Sequence, residues 1–370
     1  MACYNCGEIG HMKRDCSKLS PTKCYRCGET GHIRKDCPYT LSDRESRPSP
    51  SSDFEVAASG VPRRSPVKCF QCGEMGHTKR NCTYSLSSRP AASTYSTVPT
   101  SSVEFIDTHC HIEYFFERFQ YQGSFEAFRS KHGPYPHNFG GCITIFCDPA
   151  SFSSFRTWPD LLEEDKVWAA FGMHPHNAKY YNDSIEEKII EALSHPRAVA
   201  WGEMGLDYAK HSPAEHDSQK RVFERQLRCA VSLDKPLVIH SRDADEDVVD
   251  IMARVVPSEW KVHLHCFTGT MDNLQRFFDV FPNLCVGFTG VVTFASARHI
   301  QECVQRVPLD RLLLETDAPY MVPTAIKKGN KFSHPAMIPY IAQKIAQLKQ
   351  LPLDEILTAA RRNTKKIYGI

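Results

Sequence analysis

From residue 103 to residue 370, short apolar runs alternate with stretches of helical period. Eight runs have the length and composition of buried strands: FIDTHCH, GCITIFC, VWAAFGMHP, AVAWGEMGL, PLVIHSR, KVHLHCF, LCVGFTG and LLLETDA. The clearest helix between them covers 214–234. There Phe223, Leu227, Ala230 and Val231 form an apolar stripe beside Lys220, Arg221, Glu224 and Arg228. Strands that alternate with helices pair in parallel. Eight such units in about 268 residues predict an α/β fold, a (β/α)8 TIM-type barrel. An open doubly wound sheet is the rival, but such sheets rarely spread chemically active side chains over five strand ends.

The first hundred residues have another pattern. CYNCGEIGHMKRDC (3–16), CYRCGETGHIRKDC (24–37) and CFQCGEMGHTKRNC (69–82) repeat the spacing C-x2-C-x4-H-x4-C. Four thiolate or imidazole ligands within so short a peptide close a tetrahedral Zn2+ site, and the metal supplies the folding free energy that an absent core cannot. The predicted ligands are Cys3, Cys6, His11 and Cys16; Cys24, Cys27, His32 and Cys37; and Cys69, Cys72, His77 and Cys82. These assign small domains to 1–18, 22–39 and 67–84. The Ser-, Pro- and Arg-rich stretches 40–66 and 85–102 have little to bury and are expected to be disordered linkers. Each repeat places an aromatic after its first cysteine (Tyr4, Tyr25, Phe70) and a basic pair before its last. A flat ring for a base with cations for phosphate suits single-stranded nucleic acid. The repeats resemble the CCHC zinc knuckles of retroviral nucleocapsid and cellular nucleic-acid-binding proteins. That resemblance implies single-stranded DNA or RNA as the partner.

Charge sharpens this division. Residues 1–100 carry 15 Lys and Arg against 9 Asp and Glu, whereas the remainder carries 30 against 34. The first part is therefore the polyanion-binding end, although three thiolates around each Zn2+ remove about one charge per repeat. Of 16 cysteines, nine belong to the repeats and need to stay reduced, which predicts the nucleus or cytoplasm. No apolar run reaches the ~18 residues of a membrane span. No membrane and no obligate protein partner is inferred.

Six candidate metal ligands end the apolar runs of the second part: His109, His111, Glu203, His240, His265 and Asp317. On a strand, residues two apart face one side. His109 and His111 are thus expected to point inward together. The same parity groups Glu203 with Val199 and Trp201, and Asp317 with Leu313 and Glu315. All six would then meet at the mouth where such barrels carry active sites. Two ions there would clamp a phosphate and stabilise its entering and leaving oxygens. These ligand types accept Mg2+, Mn2+, Zn2+ or Fe2+. Asp317 is the group expected to orient an attacking water or take its proton. His174, His176 and Arg242 are expected phosphate contacts. Asp207 and Asp243 are expected to orient ligands, and His263 and Glu315 to lie one layer deeper.

Residues 103–370 resemble the TatD-type metal-dependent deoxyribonucleases, through DTHCH, GMHPH, GEMGLDY, IHSRDA, HCFTG, GFTG, ETDAPY and RRNTKKIYGI. The resemblance implies two divalent ions and hydrolysis of DNA phosphodiesters, typically as a 3′→5′ exonuclease. Carried over by position, it assigns His109, His111 and Asp317 to one ion and His240 and His265 to the other, with Glu203 bridging. Glu203 and Asp317 are then the catalytic pair. Glu113 stands where the family more often has Asp, and the aromatic stretch that follows is longer than a minimal connection. The alternatives are an esterase or deacylase on the same barrel, a ribonuclease, and a nucleic-acid-binding protein with an inert barrel. A small-molecule amidohydrolase is less favoured, since many of those bridge their metals with a carboxylated Lys where Glu203 stands.

Overall fold

The computed structural model describes residues 98–131, 135–152, 158–209 and 213–370. The three repeats with their twelve cysteine and histidine ligands, Tyr4, Tyr25 and Phe70, the segment 40–66 and residues 85–97 lie outside the described residues. The chain divides into two units, Met1–Leu86 and Ser87–Ile370, and the described residues all belong to the second.

All eight expected strands form: β1 (Phe105–Cys110), β2 (Phe139–Phe146), β3 (Val167–Phe171), β4 (Ala198–Asp207), β5 (Leu237–Arg242), β6 (Val262–Leu264), β7 (Cys285–Phe288) and β8 (Leu312–Leu314). They pair in parallel, in chain order. The ends of the sheet meet just beyond β1 and β8. Cys110 bridges Ala318, Asp317 N donates to His109 O at 2.9 Å, and His111 N donates to Ala318 O at 2.8 Å. The sheet thus curls into a nearly closed barrel. The helices are α1 (Ile112–Phe119), α2 (Phe125–Lys131), α3 (Trp158–Leu162), α4 (Asp183–Leu193), α5 (Pro213–Ser232), α6 (Asp245–Val255), α7 (Met271–Val280), α8 (Arg298–Arg306), α9 (Ile338–Lys349) and α10 (Leu353–Tyr368).

Two apolar layers hold the barrel. A small inner cluster contains Ile143, Ile145, Ala170, Ala200, Val238 and Leu313. A much larger one packs the outer strand faces against the helices. In α5, Phe223, Leu227 and Ala230 are buried as the helical stripe predicts, whereas Val231 is only half-buried. The same helix turns two buried amides towards the barrel. Gln226 accepts from Met173 N at 2.8 Å and from the Trp201 indole at 3.2 Å, and Gln219 accepts from Asp207 N at 2.9 Å. These bonds pin the ends of β3 and β4, near the candidate residues His174 and Glu203.

One parity expectation fails. Trp201 does not share the inner face with Glu203; it packs in the outer layer against α5. The β3–β4 pairing slips between Ala169 and Ala170, and the β4–β5 pairing slips between Trp201 and Met204. Gly202 lies inside the second slip at φ 146, a conformation that favours glycine, and a Cβ there would sit 2.4 Å from Val238 O. This irregular step turns Glu203 inward although Trp201 points out. On β8 the parity holds: Leu313 belongs to the inner cluster, and Leu312 and Leu314 belong to the outer.

Candidate active site

The mouth of the barrel gathers the six candidate ligands. His109 is the penultimate residue of β1, and His111 follows the strand's last residue, Cys110, as the N-terminal cap of α1. Glu203 is on β4, His240 is on β5, His265 follows β6, and Asp317 follows β8 at φ 52. His109 Nε2 stands 3.3 Å from His111 Nε2, 3.5 Å from Glu203 Oε2 and 3.7 Å from Asp317 Oδ1. His111 Nε2 stands 3.3 Å from Asp317 Oδ1 and 3.8 Å from Glu203 Oε2. The other carboxylate oxygen of Glu203 faces a second group: His240 Nδ1 at 2.7 Å, and His265 Nε2 and His174 Nε2 both at 3.5 Å. Glu203 therefore presents one oxygen to each half of the cluster.

These spacings fit metal ligands. Ligand atoms about 2.1 Å from one ion in a tetrahedron are about 3.4 Å apart. The sets His109–His111–Asp317, His109–Glu203–His265 and His174–Glu203–His240 each converge in this way. Two imidazole nitrogens 3.3 Å apart, both aimed at the same carboxylates, satisfy one another poorly as hydrogen-bond partners and well as ligands. The 2.7 Å contact between His240 Nδ1 and Glu203 Oε1 is a hydrogen-bond length, with the imidazole N–H as donor.

The electrostatics agree. Burial, with His265 alongside, pushes His109 down to about 4, so its lone pair is free at neutral pH. Burial alone would raise the Glu203 carboxyl, but His174, His265 and hydrogen bonds from His109 and His240 outweigh it and hold the group well below its usual range. Burial would likewise lower His265, yet Glu315 and Glu203 push it up to about 9.

A second set of groups surrounds the ligands. Asp207 accepts from His176 Nε2 at 2.8 Å and lies 3.4 Å from His240 Nε2. Despite partial burial, those two histidines hold its carboxyl well below the ordinary value. Glu315 lies 3.3 Å from His265 Nδ1 and 3.0 Å from His263 Nε2, and His263 Nδ1 meets the Tyr368 hydroxyl at 2.6 Å. Asp107 accepts from Thr316 N at 2.9 Å and His109 N at 3.2 Å, which ties the DTHCH and ETDAPY segments across the seam.

The structure redistributes several expectations. His174, read as a phosphate contact, joins the ligand cluster beside Glu203 and His240. His176 is exposed and bound to Asp207. Arg242 is exposed at the end of β5, with no ion pair among the described residues. Asp243, expected to orient a ligand, is exposed at φ 53 just before α6 and makes no hydrogen bond to a candidate ligand among the described residues. Glu113 accepts from Ser151 Oγ at 2.8 Å rather than bracing a ligand histidine. Sequence reasoning missed Cys147, whose thiol lies 3.8 Å from Glu203 Oε2. Burial and the neighbouring Glu203 push that thiol up, so it stays protonated and serves as a donor. Its place at the end of GCITIFC, matching the other ligands, was the available signal.

Comparison with known proteins gives the same picture. The human protein named "3'-5' RNA nuclease TATDN2" is 44% identical over 283 residues, covering 74% of this chain and 37% of that one. The chain thus spans little more than a third of that relative's length. The Escherichia coli K12 "3'-5' ssDNA/RNA exonuclease TatD" is 33% identical over 206 residues, 55% of this chain and 78% of that one. The Bacillus subtilis "uncharacterized metal-dependent hydrolase YabD" is 36% identical over 57% of this chain and 81% of that one. Among solved structures, the E. coli TatD homologue YjjV superposes with a TM-score of 0.62 at 25% identity, over 73% of this chain and all of that one. The zinc knuckle family model matches residues 1–18, 23–38 and 67–83. The model described as "TatD related DNase" matches 106–369, the whole of the barrel that carries these ligands, and the chain belongs to that family.

Proposed function

We propose that the barrel is a two-metal hydrolase that removes nucleotides from the 3′ end of single strands, RNA ahead of DNA, while the zinc knuckles grip the strand. The observation that carries this reading is Glu203, buried at 2% exposure, with one oxygen towards His109 and His111 and the other towards His240 and His265. Such a carboxylate is built to bridge two ions. His109, His111 and Asp317 would hold one and His240 and His265 the other, with His174 adjacent to the second. Two divalent ions bound there supply the Lewis-acid stabilisation that phosphodiester hydrolysis needs. Asp317, 7% exposed at the mouth, is placed to orient the attacking water and accept its proton. Arg242 and His176 are the exposed contacts for the phosphate. RNA is put first because the human relative, named an RNA nuclease, is 44% identical, against 33% for the E. coli protein named for both strands.

The test is end-labelled cleavage by the full chain with Mg2+ or Mn2+, on matched single-stranded RNA and DNA carrying the label at the 5′ end. Stepwise shortening from the 3′ end is expected, faster on RNA and absent in Glu203→Gln. Cleavage retained in Glu203→Gln would remove the bridging assignment, and no cleavage of either strand would remove the nuclease reading.

A further inference from the structure

The segment that delivers Asp317 continues outward along one side of the mouth. Tyr320 N donates to Asp317 O at 3.0 Å, so this ring begins three residues from a candidate ligand. Tyr320 is 44% exposed, one of few large apolar side chains left open among the described residues. With Arg118, Phe294, Lys327, Lys331 and Phe332 it lines a groove of about 480 Å³. That volume lies within the range of small-ligand sites.

The composition of the groove is specific. Arg118, in the last turn of α1, lines the groove together with Tyr320. The Lys327 ammonium sits 5.4 Å over the Phe294 ring, and that of Lys331 sits 5.1 Å over the Phe332 ring. Three cations line the groove and no carboxylate does. Neither lysine has an ion pair among the described residues. Aromatic faces interleaved with cations are what a single strand needs: stacking for bases and charge for phosphates.

The other side of the mouth has the opposite character. An opening of about 620 Å³ beside the ends of β5 and β6 is lined by Asp243, Asp245, Glu246 and Asp247, with no Lys or Arg. β8 and β1 lie across the barrel from β5 and β6. Two of these carboxylates are already paired, Glu246 with Arg276 and Asp247 with Lys220, so the two sides differ chiefly in the lysines of the Tyr320 groove, which have no ion pair among the described residues.

We propose that the Tyr320 groove seats the single-stranded RNA segment next to the phosphate at the metal ligands, with Tyr320 and Phe332 stacking on bases and Arg118, Lys327 and Lys331 meeting the flanking phosphates. This rests on the single-strand nuclease reading above. The groove sets how the strand lies; it does not carry out the chemistry. Stacking is blind to the sugar, so single-stranded DNA is expected to use the same track.

The test uses the full chain and steady-state cleavage of single-stranded RNA, with DNA as a second arm. Tyr320→Ala removes one stacking face from an exposed position. It should raise KM by about 5- to 150-fold with kcat nearly unchanged, while Tyr320→Phe keeps KM near the starting value. The double variant Lys327→Glu/Lys331→Glu should make the slope of log KM against log salt shallower by about 1.4. An unchanged KM in Tyr320→Ala, or a fall in kcat alone, overturns the groove and leaves the nuclease reading intact. If the wild-type chain cleaves neither strand, the nuclease reading falls by itself. Photo-crosslinking of an iodouridine-substituted strand to Glu203→Gln then decides the groove separately. Adducts on peptides holding Tyr320 or Phe332 uphold it, and adducts confined to the knuckles or to the acidic side sink it.

Discussion

Tyr368→Phe tests whether the ligand cluster is braced from beneath the barrel. Tyr368 ends α10, and its hydroxyl meets His263 Nδ1 at 2.6 Å. Burial pushes that hydroxyl's pKa well up, so it stays a donor at any physiological pH. His263, wholly buried, faces Glu315 at 3.0 Å, and Glu315 faces the candidate ligand His265 at 3.3 Å. Phenylalanine keeps the ring and opens no cavity. What is lost is the one donor to a buried imidazole nitrogen, a cost of about 1–3 kcal/mol. For a domain of this size that lowers Tm by about 2–12 °C. All four tryptophans (Trp158, Trp168, Trp201 and Trp260) lie in the barrel, so tryptophan fluorescence follows its melting without the knuckles. If His263 and Glu315 hold His265 in its ligating pose, Mn2+ affinity should also drop by about 10- to 100-fold. A variant that melts with the wild type and binds Mn2+ equally would show that the Tyr368–His263–Glu315 chain neither stabilises the barrel nor positions its ligands.

Three further outcomes follow from the same geometry. His265, raised from 6.5 to about 9, is protonated at pH 7 in the metal-free protein and has to lose that proton to bind an ion. His240, also raised by Asp207 and Glu203, adds to this release, so calorimetry in buffers of different ionisation heat should detect at least one proton released on metal loading at pH 7, fading above pH 9; no release at pH 7 would rule His265 out as a ligand. By the same linkage, its contribution to metal-free stability is complete below pH 6.5 and disappears as pH rises through about 9. Asp207→Asn weakens the hold on His240 and His176, so the Mn2+ concentration for half-maximal cleavage should rise about 10- to 100-fold with little change in melting; an unchanged midpoint would reduce Asp207 to a surface partner of His176. Gly205→Ala places a Cβ 1.9 Å from His240 O at φ 152, where backbone on both strands has to yield, and should cost on the order of 3 kcal/mol or prevent soluble expression. A variant that expressed and melted normally would contradict the close β4–β5 approach.

Much of this barrel is legible in one dimension, for a physical reason. Parallel strands buried on both faces have to be continuous apolar runs, and their C-terminal ends are where the runs meet polar residues. His109, Glu203, His240 and Asp317 sit at those breaks, so reading where each run stops locates them. Strict alternation fails at β4, because the pairing slips at Gly202 and no composition rule announces a slip. Contacts made over long sequence separations are equally hidden. Nothing in KKIYGI says that Tyr368 will lie beside His263, and nothing in the β1–β2 connection says that Arg118 will share a groove with Tyr320. Asp243 shows the converse. It sits beside the candidate residues His240 and Arg242 in HSRDA but is exposed where α6 starts.

The account stands on Glu203 as a bridge between two ions. Crystals of the full chain, or of Ser87–Ile370 if that unit folds alone, soaked in Mn2+ and measured at the manganese absorption edge, test this most directly. Two anomalous peaks are predicted, one among His109, His111 and Asp317 and one between His240 and His265, with a Glu203 oxygen contacting each. A single peak, or two peaks that both leave Glu203 outside their ligand shells, would contradict it.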